Sequence, residues 1–360
     1  MKFLFNGCRI NIPVNITYQI FLLYVFWTIF CCWLPWAEDR LPAIGYALLP
    51  LLLFPFFPKK EIKYELKDFA LGVTIGSSIL ILVVTAHVGF LGLSSRSNGL
   101  TQIGPNTVGF IAAFGLFSAW YLTNIANGFV VKILFKAEIV LFSMVVFLTF
   151  SKTIIVGLLF TIIVRYVAHI NIKAIIQGMI ILFVVAVLSF LGHDIIVRHI
   201  NEYMLEKYTF STLTGRTLLW KQILDDMDWL RLLIGSGYNS SVFVSKVAGS
   251  KVLNSIGFGQ AHNALIEAII NTGIFGATLL YTAIVCSLTR MLCIIKNNVT
   301  FSIPSKLFVL SLFLLLLSRS ITEGTYAQPG TIDSVLLFYL MGIIFFMPKQ
   351  VKRVSDDTVQ

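Results

Sequence analysis

Charge is what this sequence has least of. Only 12% of its 360 residues are Asp, Glu, Lys or Arg, about half the share found in a soluble domain. A chain so poor in charge cannot coat a water-exposed surface, which excludes an ordinary soluble enzyme. Cysteine is scarce too: five residues, none in a CxxC pair, so neither a disulfide scaffold nor a thiolate metal site is indicated. Cys31, Cys32, Cys286 and Cys293 fall in apolar runs and read as packing residues. HExxH, Walker A and GxSxG are missing from any credible setting, removing the commonest signatures of zinc proteases, P-loop NTPases and serine hydrolases.

What fills the space is hydrophobic. Residues AVILMFWYC make up 57% of the chain and the mean hydropathy is +0.87. The apolar runs approach the roughly 20 residues needed to cross a bilayer, and they recur from end to end. The expected fold is an all-α polytopic membrane protein. About ten spans are predicted, at roughly 17–36, 42–58, 68–93, 106–124, 137–150, 153–169, 172–192, 263–289, 305–322 and 332–348. The fifth and sixth form a tight helical hairpin around Ser151-Lys152. Basic Lys2 and Arg9 precede the first span with no small-residue cleavage site after it, so this segment reads as a signal anchor.

The division that follows is 1–192 for seven membrane helices, 193–262 for one large outer loop, 263–348 for three more helices, and 349–360 for a tail. With the N-terminus inside, sixteen of the 27 basic residues lie in cytoplasmic segments. Only Arg40, Arg96, Lys152 and Arg319 lie in short outer loops. That asymmetry predicts both termini in the cytoplasm. The net charge of +10 is then a topology signal and gives no reason to invoke nucleic acid.

The large loop holds TGRTLLWKQILDDMDWL, in which Trp220, Ile223, Leu224 and Met227 make one apolar stripe at helical spacing. Thr214 is its candidate N-cap. This amphipathic helix is expected on the membrane surface or against the bundle. Asp226-Met227-Asp228 and Glu38-Asp39 are possible metal-binding pairs for a metal-dependent glycosyltransferase. The plainer reading of Asp226 and Asp228 is a solvated face near a helix end.

Arg96, Lys152 and Arg319 sit at outer helix ends, where positive charge is disfavoured by topology, and Arg216 sits in the first turn of the loop helix. A guanidinium can grip a phosphate through two bonds, and a helix N-terminus offers free N–H groups. Together these cations would suit a diphosphate; singly, each is as readily explained by snorkelling or local pairing. His262 begins a span with Asn263 beside it and Glu267 further along. An imidazole can take a proton from a hydroxyl near neutral pH, and Glu267 is placed to orient it or to pair with a cation.

His262-Asn263, nine residues, then Gly273-Ile274-Phe275-Gly276 resembles the H-[NSQ]-x9-G-x-x-G pattern of bacterial O-antigen ligases and related polymerases. RSNGLTQIGPN (Arg96 to Asn106), LTFSK (Leu148 to Lys152), and TGRTLLW followed by LLIGSGY resemble further segments of that superfamily, over about residues 90–340. Lys152 stands where the family has arginine, which loses the bidentate fork but keeps the charge.

The resemblance implies a multi-pass glycosyltransferase of the bacterial inner (cytoplasmic) membrane. It would act at the periplasmic face on a glycan carried by undecaprenyl diphosphate, with no nucleotide sugar, cofactor or metal. Carried over by position, Arg216 would bind the diphosphate and His262 would act on the acceptor hydroxyl. Arg96, Lys152 and Arg319 would support the leaving group, with Asn263 and Glu267 at the substrate. Implied partners are the lipid-linked oligosaccharide, membrane lipid, a chain-length regulator and a flippase. The expected activity is that of an O-antigen (repeat-unit polysaccharide) polymerase. The alternatives are an O-antigen ligase that moves the glycan to lipid A-core, and, in another class, a lipid-linked oligosaccharide flippase. A flippase would carry ionisable residues at midspan.

Overall fold

The computed structural model describes residues 2–5, 8–11, 16–37, 44, 62–89, 104–149, 151–168, 220–237, 261–297, 302–321, 323 and 332–346. Nine helices are named among these residues: α1 (Ile16–Cys32), α2 (Ile62–Val88), α3 (Pro105–Ile125), α4 (Phe129–Leu148), α5 (Lys152–Ala168), α6 (Trp229–Ile234), α7 (Ala264–Asn297), α8 (Ile303–Ser320) and α9 (Ile332–Phe346). The protein is a helical, multi-pass membrane protein. Leu66–His87, Pro105–Ile125, Ala264–Ile295 and Ile303–Ser320 are long and apolar enough to cross a membrane. Ile16–Cys32, Ile154–Tyr166 and Asp333–Phe345 are shorter apolar helices. The expected spans 42–58, apart from Ile44, and 172–192 lie outside the described residues, as do Thr214 and most of the large loop.

Three details depart from the expected pattern. Residues Lys2–Phe5 (β1) pair antiparallel with Cys8–Asn11 (β2), Lys2 opposite Asn11, so the basic leader is not helical. The sequence between the strands is Asn6-Gly7, the dipeptide best suited to a two-residue hairpin. Helix α4 begins at Phe129, eight residues before the apolar run at 137, and so carries Lys132, Lys136 and Glu138 within a continuous helix. Finally, the apolar stripe of the loop does not run through one helix. Residues 220–225 are helical, the chain turns, and Asp228 caps α6 by accepting the Arg231 N–H at 2.8 Å.

Helices α3 and α8 form the middle of the bundle. Phe117, Tyr121, Phe308, Leu312, Phe313 and Leu315 are almost fully buried, and Tyr121 stacks on Phe308 with ring centroids 4.6 Å apart. Outward-facing side chains on α2 and α4 are apolar instead: Leu82, Val140 and Phe147 are largely exposed, as suits contact with hydrocarbon. Several buried hydroxyls are satisfied within their own helices. Thr74 donates to Ala70, Ser118 to Phe114, Thr161 to Gly157 and Thr272 to Ala268. An unsatisfied polar group would cost several kcal/mol in lipid, on the order of ~4 for an amide or hydroxyl.

Two cations placed at the cytoplasmic side by sequence act as packing elements. Arg165 is buried within α5, its guanidinium 4.2 Å from the Trp120 ring and 3.3 Å from the Ser311 hydroxyl, to which it donates. Arg290 caps the end of α9 by donating to the carbonyls of Ile344 and Phe345 at 2.9 and 3.2 Å. Within α4, Glu138 accepts a hydrogen bond from Ser78 on α2 at 2.9 Å. Arg165, Arg290 and Glu138 are thus each tied to a neighbouring helix.

Candidate functional site

Helix α7 is broken at Gly273, whose φ of 70° and ψ of 177° are non-helical. This backbone state is open essentially to glycine alone. The segment that follows α6 fits into the break. Ser236 donates its N–H to the Ile270 carbonyl at 2.7 Å and Gly237 to the Asn271 carbonyl at 3.1 Å. Gly235, itself at φ +90°, approaches so closely that a Cβ there would lie 2.5 Å from the Asn271 carbonyl oxygen. Helix α1 and the turn after it close the joint: Trp27 of α1 donates to the Thr272 carbonyl at 2.8 Å and Trp36 of the turn to the Gly235 carbonyl at 3.0 Å. The two glycine motifs, LLIGSGY and GIFG, are thus two halves of one docking joint.

That joint sets the position of the residues before α7. Ile223 and Met227, partly covered by Trp220 and Leu224, pack against Ala261, Ile266 and Ile270. Ala261 is gripped at both polar atoms. Its carbonyl accepts from Trp220 Nε1 at 2.6 Å, and its N–H is held by Glu267 Oε1 at 2.7 Å. The next residue, His262, has a positive φ of 51°, rare for a residue with a side chain. Asn263 then caps α7, its Oδ1 accepting from Leu265 and Ile266 at 2.9 and 3.1 Å. Its Nδ2 donates to the Ile321 carbonyl at the end of α8, at 2.9 Å.

His262 is directed at Glu323, with Nδ1 3.2 Å from Oε2. The other carboxylate oxygen, Oε1, accepts from Asn106 Nδ2 at 2.8 Å, and Asn106 Oδ1 accepts from the Ser151 hydroxyl at 2.8 Å. One carboxylate therefore ties together the starts of α3, α5 and α7 and the end of α8. Burial by itself raises the Glu323 pKa. The hydrogen bond and charge of His262, the Asn106 bond and the charge of Arg319 outweigh that and hold it below the ordinary carboxylate value. Glu323 is consequently ionised at neutral pH.

The start of α9 joins the same end. Arg319 Nη1 lies 3.3 Å from Asp333 Oδ1, Nη2 lies 3.4 Å from the Thr107 hydroxyl, and the guanidinium sits 4.1 Å from the Phe110 ring. Both members of the ion pair are buried.

The sequence-nominated residues divide accordingly. His262 and Asn263 stand at the convergence of helix ends. Glu267 does not orient His262: it is fully buried and holds the preceding peptide, while Glu323 is the carboxylate at the imidazole. Arg319 is buried and bound to Asp333, so it is not the open cation its position suggested. Lys152 opens α5 directly after Ser151. Arg96 and Arg216 lie outside the described residues, as do Glu38 and Asp39. Asp228 is engaged as the cap of α6. Glu323, Asn106, Ser151 and Asp333 were not singled out from sequence; the available signal was polar residues bordering apolar spans at matching ends.

Comparison with known proteins falls on this same region. The model of the O-antigen ligase family matches residues 137–281, from α4 through His262 to the middle of α7. The exopolysaccharide production protein ExoQ of Rhizobium meliloti (strain 1021) is 28% identical over 141 residues, covering 37% of this chain and 31% of that protein. The match thus spans less than a third of its relative. Both findings bear out the resemblance to the O-antigen polymerase and ligase superfamily that the His262-to-Gly276 motif carries.

Proposed function

We propose that the protein is a membrane glycosyltransferase that polymerises a lipid-linked repeat-unit glycan. The donor is a glycan on undecaprenyl diphosphate and the acceptor a hydroxyl of another lipid-linked repeat unit, at the periplasmic face of the inner membrane. The observation that carries this reading is His262. It is held in a rare backbone conformation at the meeting of several helix ends, with one ring nitrogen on a carboxylate.

In this reaction the acceptor oxygen forms a bond to the anomeric carbon as the bond from that carbon to the diphosphate oxygen breaks. The electron pair leaves with the diphosphate, and the hydroxyl proton passes to the imidazole. General-base catalysis of this kind contributes on the order of 10²–10⁴ in rate. Arg216 binds the diphosphate, and Arg96 and Lys152 add positive charge near the leaving group, where preorganised cations act on charge as it develops. Arg319 contributes through its pair with Asp333, by fixing the end of α8 that carries Glu323. The exopolysaccharide production named for ExoQ favours a polymer-making role, while the family description, O-antigen ligase, favours transfer of a finished glycan to lipid A-core.

A lipopolysaccharide gel of a strain lacking the gene separates these two. Loss of a polymerase leaves single repeat units on the core. Loss of a ligase leaves bare core with lipid-linked chains accumulating, and that result would overturn the polymerase reading. Unchanged chains would remove both.

A further inference from the structure

Glu323 is bonded through both carboxylate oxygens, and it lies outside every motif by which the region is recognised. Its two oxygens are used differently. Oε1 is fixed by Asn106, which is itself held by Ser151 at 2.8 Å, so the carboxylate cannot swing without breaking its own 2.8 Å bond to Asn106. The Glu323 N–H also donates to the Arg319 carbonyl at 3.1 Å, continuing the last turn of α8. That leaves Oε2 aimed at His262 Nδ1 from a rigid mount, while Asn263 and Ala261 fix the backbone on either side of the histidine.

An ionised carboxylate has no proton to give, so the bond at Nδ1 is formed by an Nδ1–H. The neutral ring then has its lone pair on Nε2. We propose that Glu323 is a positioning residue: it selects the Nδ1–H tautomer of His262, presents Nε2 as the proton-accepting atom, and stabilises the imidazolium formed when Nε2 takes the acceptor proton. This rests on the assignment of His262 as the base. Asn106 and Ser151 extend the mount across α3 and α5, so that four helix ends must assemble before the base is aimed. Among the described residues, Arg319 of α8, Asp333 of α9 and Glu267 of α7 are further charged groups at this end. Arg319 lies against Asp333 and Glu267 holds the Ala261 peptide, while Glu323 Oε2 lies 3.2 Å from the ring's Nδ1.

The test uses the full chain in proteoliposomes, supplied with polyprenyl-diphosphate-linked oligosaccharide extracted from the host, and three variants matched for membrane insertion. Glu323→Gln keeps the shape and the Asn106 bond but can offer an N–H to Nδ1, which favours the opposite tautomer. Its turnover is expected to fall roughly 100-fold, in line with loss of an effective general base, with little change in KM. Its pH–rate profile should lose the limb set by the histidine, and Glu323→Asp should restore part of the rate. In protein labelled with ¹⁵N-histidine, the His262 signal, assigned by its loss in His262→Gln, should report Nδ1–H in the wild type and Nε2–H in Glu323→Gln. Wild-type turnover and an unchanged pH profile in Glu323→Gln would overturn the proposal, as would an Nε2–H tautomer in the wild type. Full activity in His262→Gln would instead overturn the assignment of the base. The ¹⁵N measurement distinguishes the two failures, because it reads the tautomer without turnover.

Discussion

Replacing Gly273 by alanine tests the joint that positions His262. At φ 70° and ψ 177° an L-residue is strained by about 1–3 kcal/mol. The added Cβ would also overlap the Leu233 carbonyl, which is backbone and cannot rotate away. The chain can escape only by opening the joint. That gives up the Ser236–Ile270 and Gly237–Asn271 backbone bonds and the Trp36–Gly235 bond, each with a net contribution of about 1 kcal/mol. Opening therefore costs about 3 kcal/mol, and because the closed alternative is strained further by the overlap, the variant is expected to open. A change of that size shifts the docked population by somewhat more than 100-fold, at about 1.4 kcal/mol per tenfold. Hydrogen exchange of the Ser236 and Gly237 amides in detergent-solubilised protein reads that shift directly. Both should exchange at least tenfold faster in Gly273→Ala, and glycan extension should fall with them. Gly72→Ala is the control, since a Cβ there meets nothing within 4 Å. Unchanged exchange at Ser236 and Gly237 in Gly273→Ala would refute the interlock.

Two further outcomes follow from the charges at this end of the bundle. Asp333→Asn leaves Arg319 buried without its counter-charge and should destabilise the protein by about 3–5 kcal/mol, whereas Arg319→Met with Asp333→Leu should recover most of the loss; thermal unfolding in detergent checks both, and a fully stable Asp333→Asn would show that the pair does not hold the helices. Glu323 has a folded pKa below its unfolded value, so its stabilisation is full above the ordinary glutamate pKa near 4.3 and is lost as pH falls through the folded value. The stability gap between wild type and Glu323→Gln should accordingly close on strong acidification. A gap that persists in acid would mean that ionised Glu323 is not its source.

Much of the architecture could be read locally. Apolar runs located the helices, Ser151-Lys152 marked the break between α4 and α5, and His262-Asn263 marked the opening of α7. The stripe Trp220, Ile223, Leu224 and Met227 does mark a buried face, though that helix ends at residue 225, earlier than the periodicity implied. What was not legible depended on distance along the chain. Glu323 lies 61 residues from His262 and 217 from Asn106, so no local window could join them. Glu267 was the nearest acid in sequence, yet it turns back to hold Ala261. The sequence nominates Arg319 as a support for the leaving group because its partner Asp333 opens a different helix. The break at Gly273 was hidden by continuous hydrophobicity, since an apolar run reads the same whether its helix is straight or bent.

The central claim is that His262 at this helix junction carries glycan transfer between lipid-linked units. The direct measurement is chain growth in proteoliposomes that contain the purified full chain and lipid-linked oligosaccharide, with products sized by mass spectrometry. Wild-type protein should convert single repeats into lipid-linked oligomers, and His262→Ala, inserted at equal level, should leave single repeats. Oligomers of normal length from His262→Ala would contradict the account.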